Sequence, residues 1–236
     1  MTTINNQAKF YDDYVDRQLK MGVNHRHLSI IDKLVLHGLK SEDDVLEIGC
    51  GIGTVSKLIA SVVKIGKIHI NDLSVESIKV AKELLKASQN VSFSSGNILD
   101  QEIEMRFDWI VLPDVLEHIP LELHADLFQK MEMYLKPNGK IFIHIPQPDY
   151  LNWVIENQPH LLQEIDQPVY LSELLPKIEK VNLMVSKLED YSIYIKPYDY
   201  RYILVKRREK SEFKSAATKS HGIIDKIRYK MRYGKL

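Results

Sequence analysis

Three glycines at two-residue intervals, Gly49, Gly51 and Gly53, sit in the stretch VLEIGCGIGTVSKL. An apolar run ending in an acid, Glu47, precedes them, and an amphipathic run follows. Without Cβ atoms a loop can turn tightly and let backbone N–H groups face a ligand. Cys50, between two of the glycines, reads as a small spacer rather than a nucleophile, and no Cys/His dyad is identifiable. Two histidines stand at predicted strand ends: His118 in DVLEHIP and His144 in IHIPQP. His118 is spaced i, i+4 from Asp114 and adjoins Glu117, with no complete metal-ligand set visible around it. A histidine titrates near neutrality, which suits it to general-base work.

The spacing of the glycines restricts the ligand. A phosphate-binding P-loop requires Gly-Lys-Ser/Thr after four intervening residues, and no lysine stands there. A dinucleotide fingerprint requires G-x-G-x-x-G, but Thr54 occupies the third glycine position and the chain reads G-x-G-x-G.

The elements that must position these groups alternate. DVLEIG, KIHIND, VSFSSG, FDWIVLP and KIFIHIP read as strands, and KPNGK before the last of them as a turn. VSKLIASVVK, SVESIKVAKELLKAS and LELHADLFQKMEMYL read as helices, the second with Ser74 as N-cap. This rhythm predicts an α/β fold, a mostly parallel sheet with helices on both faces. HLSIIDKLVLHGL predicts a helix with Leu28, Ile31, Leu34 and Val35 on its apolar face. After Pro146 the rhythm changes: one or two short helices cover the sheet edge, LSELLPKIEKVN is helical, and LMVSKLEDYSIYI pairs with YDYRYILVKR as an antiparallel hairpin. One domain over 1–208 is expected, with a helical cap at 1–44 and an insertion at 147–182, followed by a basic tail at 209–236.

Five segments in order resemble the class I S-adenosylmethionine-dependent methyltransferases over about residues 40–146: VLEIGCGIG, IHINDLS, SSGNILD, FDWIVLPDVLEHIP and LKPNGKIFIHIP. The resemblance implies a Rossmann-like seven-stranded sheet and S-adenosylmethionine as cofactor, with S-adenosylhomocysteine as product. It places backbone at Gly49, Cys50 and Gly51 against the methionine part and ribose, with Glu47 orienting the loop or the amino end. Asp72, twenty-three residues after Gly49, is expected to accept from both ribose hydroxyls. Asn97 stands where the family usually has Asp; its carbonyl would accept from the adenine amino group, with Ile98 and Leu73 on the two sides of the ring. Pro113 and Asp114 fall beside the methyl group.

The methyl acceptor is less constrained. The segment from IPQPDYLNWVIENQ to the hairpin resembles methyltransferases of bacterial surface-glycan synthesis, which implies a sugar hydroxyl, with His118 or His144 as base and Tyr150, Trp153, Tyr170 and Tyr194 available for stacking. A quinone or phenol O-methyltransferase and a non-catalytic cofactor-binding scaffold are the alternatives. Tyr11 and Tyr14 are candidates for a lid, and Arg26 in NHRH for facing the acceptor or the cofactor carboxylate. The formal net charge is zero over 236 residues. From Lys206 onward, however, eleven Lys and Arg face three Asp and Glu, a net of +8, which leaves −8 on the rest. A basic nucleic-acid-binding body is therefore excluded. IIDKIRYKMRYGKL reads as a basic amphipathic helix for an anionic membrane surface or a partner enzyme. One cysteine, no signal-peptide pattern and no long apolar run lead to the expectation of a cytoplasmic protein, peripheral to the membrane at most.

Overall fold

The computed structural model describes residues 15, 18–208 and 223–234. Seven strands form one sheet in the order β3-β2-β1-β4-β5-β7-β6. They are β1 (Val45–Ile48), β2 (Ile68–Asp72), β3 (Val91–Ser95), β4 (Phe107–Pro113), β5 (Leu135–Pro146), β6 (Leu183–Tyr191) and β7 (Tyr200–Arg207). β1 to β5 run parallel, and β7 lies antiparallel between β5 and β6. The expected hairpin is present, with β7 as its reversed strand. The helices are α1 (His25–Leu36), α2 (Thr54–Val62), α3 (Val75–Leu84), α4 (His124–Tyr134), α5 (Pro148–Asn157), α6 (Leu171–Lys180) and α7 (Ile223–Tyr233).

Strand alternation assigns the two faces. In β4, Trp109 and Val111 point to one layer, where they join Phe142, Tyr202 and residues of α1 and α2 such as Ile30, Leu34 and Ile59. Ile110 and Leu112 point to the other, against Leu127, Phe128 and Met131 of α4 and Leu174 and Ile178 of α6. With both faces covered, the central strands read as unbroken apolar runs. Ser74 caps α3 as expected, accepting from the Ser77 N–H at 2.9 Å.

Two elements depart from the sequence reading. α1 buries Ile30, Ile31 and Leu34 and leaves Leu28 and Val35 exposed. The helix carries apolar residues on more than one stripe, and the stripe that is buried is the one against α2. The KPNGK turn becomes an irregularity within β5: Phe107 pairs with Leu135, and Trp109 with Lys140, so the residues between bulge out. Gly139 allows this, because a Cβ there would meet the Phe107 carbonyl and the Leu135 side chain.

The sheet order reverses between β1 and β4, where an open α/β sheet places its ligand crevice. Behind the crevice, the buried Asp43 accepts from the Trp109 indole N–H at 3.0 Å and from the Lys40 N–H at 3.0 Å. Asp43→Ala leaves the indole N–H buried and unpaired. By urea unfolding it should lose about 2–3 kcal/mol, with Asp43→Asn recovering most of that; equal losses in the two variants would contradict this.

Candidate active site

The carboxyl ends of β1, β2 and β4 open on a cavity of about 610 Å³. The glycine loop forms one wall. Gly49, Gly51 and Gly53 have φ of 74°, 52° and 86°, in the left-handed region that glycine tolerates. A Cβ at Gly49 would collide with Val115. The loop is laced to β2: the Gly49 and Cys50 N–H groups donate to the Asn71 carbonyl at 2.8 and 3.2 Å. Asp72 receives the Gly51 N–H on one carboxylate oxygen at 2.7 Å and the Ser74 N–H on the other at 2.8 Å. A carboxylate oxygen can accept more than one hydrogen bond.

Asp114 directly follows β4 at a φ of 57°, unusual for a non-glycine residue. Its carboxylate pairs with the Arg26 Nε at 3.1 Å and accepts from the His144 Nδ1 at 2.5 Å. The His144 Nε2 meets the Tyr191 hydroxyl at 2.7 Å, and Ser29 Oγ donates to that hydroxyl at 3.0 Å. A continuous polar chain thus joins α1 to β4, β5 and β6. Burial alone would raise the Asp114 pKa, but the charges of Arg26 and His144 outweigh it and hold the carboxyl at about 2.

Three further groups line the cavity. His118 Nδ1 lies 2.6 Å from the Ile165 carbonyl and 3.2 Å from Asp166 Oδ1. A carbonyl only accepts, so Nδ1 carries a proton. Glu117 beside it is buried; burial and then the neighbouring Asp114 charge raise its pKa well above the usual carboxylate value. His27 is held near a pKa of about 4 by burial and then by the Arg26 charge, and is neutral. Among the described residues, no three His, Cys, Asp or Glu come together as a metal site.

Residues 45–139 match the protein-family model described as a methyltransferase domain. The chain is 29% identical over 134 residues to malonyl-[acyl-carrier protein] O-methyltransferase 1 of Ilyobacter polytropus, covering 57% of this chain and 47% of that protein. It is 27% identical over 184 residues to the ubiquinone biosynthesis O-methyltransferase of Nitrosomonas europaea, covering 77% and 68%. The fold is similar to that of an S-adenosylmethionine-dependent methyltransferase from Clostridium acetobutylicum, with a TM-score of 0.64 at 17% identity, over 85% of this chain and 98% of that one. The chain spans about half the length of the malonyl-[acyl-carrier protein] O-methyltransferases it matches.

The residues at the cavity fit S-adenosylmethionine. The glycine cradle would hold the methionine part, and the two Asp72 oxygens suit a ribose diol. The cradle itself marks the fit, since a Cβ at Gly49 or Gly51 would collide with Val115 or Gln18. Glu47, just before the loop, is fully buried, with no hydrogen bond to either oxygen among the described residues.

Of the residues expected at the site, Gly49, Cys50, Gly51, Asp72, Leu73, Asn97, Ile98, Pro113, Asp114 and His118 all line the cavity. Glu47 and His144 are not in its wall. His144 is buried with both nitrogens engaged, so it braces Asp114 rather than facing a substrate. The Asn97 side-chain carbonyl caps the turn Ile98–Asp100 by accepting the Leu99 N–H at 3.1 Å. Arg26 lines the cavity while its Nε pairs with Asp114. Tyr11 and Tyr14 lie outside the described residues, but Gln18 and Met21 line the cavity above the loop. Gln18, Met21, Asp166 and Tyr200 escaped the sequence reading. Only Tyr200 left a signal, in the alternation of YDYRY that turns it to the same side as Tyr202.

Glu47 gives the site a pH signature. Burial raises its pKa from 4.5 to about 8, with the Ser56 hydroxyl opposing and the Asp72 charge adding. The folded state therefore holds this proton more tightly than the unfolded chain. Stability is highest below the unfolded pKa and falls as pH rises towards 8, by roughly 1.4 kcal/mol per unit. Without cofactor, Glu47→Gln should gain little over the parent near pH 5 and on the order of 3–5 kcal/mol near pH 8. Thermal melts across that range check this, and a gap independent of pH would contradict it.

Proposed function

We propose that the chain is an S-adenosylmethionine-dependent O-methyltransferase whose acceptor is a neutral small molecule with one hydroxyl on a largely apolar body. The acceptor end of the cavity supports this reading most directly. Ile119, Leu151, Val154, Leu161 and Leu162 line it beside the His118–Asp166 pair. A sugar ring would bring several hydroxyls to such a wall, each needing a partner. The reading therefore moves from the sugar hydroxyl expected from the sequence to the phenol- or quinone-type alternative.

Charge argues further. Asp72 and Asp166 line the cavity, while Arg26 and Asp114, also in its wall, offset one another. This field favours a cationic cofactor and opposes an anionic acceptor. A carboxylate acceptor has in its favour the names of relatives such as the malonyl-[acyl-carrier protein] O-methyltransferases.

When bound, the cofactor supplies a methyl group already activated on a sulfonium. The protein's task is alignment and removal of one proton. His118 Nε2 takes the hydroxyl proton, while Nδ1–H stays on the Ile165 carbonyl and Asp166 stabilises the resulting imidazolium. The apolar wall of α5 excludes water from the acceptor.

Methyl transfer assayed against phenols, sugar nucleotides and carboxylates should show turnover with phenols. His118→Ala should lower kcat by about 10²–10⁴-fold, with S-adenosylhomocysteine affinity unchanged. Turnover of the sugar or carboxylate acceptors alone, or full kcat in the variant, would overturn the reading.

A further inference from the structure

α7, Ile223–Tyr233, has no part in this chemistry. Its eleven residues span about 16 Å at 1.5 Å each. Ile227 and Met231, one helical turn apart on one face, are 51% and 79% exposed. Arg228, Lys230 and Arg232 are exposed around them. Among the described residues, no helix is long and apolar enough to cross a membrane.

We propose that α7 is a peripheral binding element for an anionic lipid bilayer. Ile227 and Met231 would enter the boundary between headgroups and acyl chains, with Arg228, Lys230 and Arg232 on the lipid phosphates. Two observations favour a bilayer over a protein groove. The first is size: a stable protein interface buries about 800 Å² on each partner, and a stripe of these two residues offers much less. Lipid adds a Coulomb attraction for every basic residue regardless of shape. The second is charge segregation. The chain before Lys206 carries −8 and the remainder +8. An anionic surface repels the body and draws this end of the chain, so the helix alone sets which part touches. The proposal is independent of the identity of the methyl acceptor.

Co-sedimentation of the full chain with phosphatidylcholine vesicles, with and without phosphatidylglycerol, tests it. Binding is expected only with phosphatidylglycerol and should weaken as salt rises. Arg228→Gln, Lys230→Gln and Arg232→Gln together should weaken it by roughly 100-fold, at about five-fold per charge. Ile227→Glu with Met231→Glu should abolish it. These side chains are exposed, so unfolding midpoints should match the parent, and the melts confirm that the variants fold. Three results would overturn the proposal: no binding to phosphatidylglycerol vesicles, equal binding to both vesicle types, or unchanged binding by the glutamate variant. Light scattering identifies the remaining occupant. A dimer that the glutamate variant dissociates, with no vesicle binding, would assign the stripe to a second copy of the chain.

Discussion

The part-buried ion pair of Arg26 and Asp114 holds the site together. Asp114 is a charge in the cavity wall, just past the end of β4, and it is held by two partners from distant parts of the sequence, Arg26 on α1 and His144 on β5. A pair of this kind is weak evidence for net stability, but losing one partner leaves an uncompensated charge. It therefore works mainly as a geometric lock. It sets α1 against the sheet and fixes the end of β4, which keeps Val115 against Gly49 and starts the turn that carries Glu117 and His118.

The same lock divides labour between the two histidines. His144 is spent within the chain Asp114–His144–Tyr191–Ser29, where each member satisfies the next. His118 has its Nδ1 proton held by the Ile165 carbonyl and lies in the cavity wall. Two titratable residues of one type at two strand ends thus acquire different tasks from their surroundings. Glu117 and Glu47 show the same effect on acids, since burial raises the pKa of both above that of an exposed carboxyl.

The cofactor half of the site was legible in the sequence because it is built from local segments. A glycine loop, an acid at the end of β2 and the Asn97–Ile98 turn are each contiguous, and strand-end residues of a parallel sheet collect at one edge. The hairpin and the helices flanking the parallel strands were legible for the same reason. The acceptor half was not, because it is assembled from side chains far apart in the chain. Asp166 reaches His118 from a loop with no periodicity, and Arg26 reaches Asp114 across 88 positions. The engagement of both His144 nitrogens follows from strand register and could not be read from residue type. The buried stripe of α1 was misassigned because its apolar residues permit more than one face, and packing on α2 decides between them.

The central claim is that the crevice at the reversal of strand order is a sulfonium-cofactor site built on the glycine loop and Asp72. Isothermal titration of the full chain with S-adenosylhomocysteine tests it most directly, with NAD as comparison and Asp72→Ala as variant. The account predicts one site per chain for S-adenosylhomocysteine, no heat from NAD, and a loss of at least tenfold in affinity for Asp72→Ala, equivalent to about 1.4 kcal/mol. Binding of NAD in preference, or undiminished S-adenosylhomocysteine binding by the variant, would contradict it.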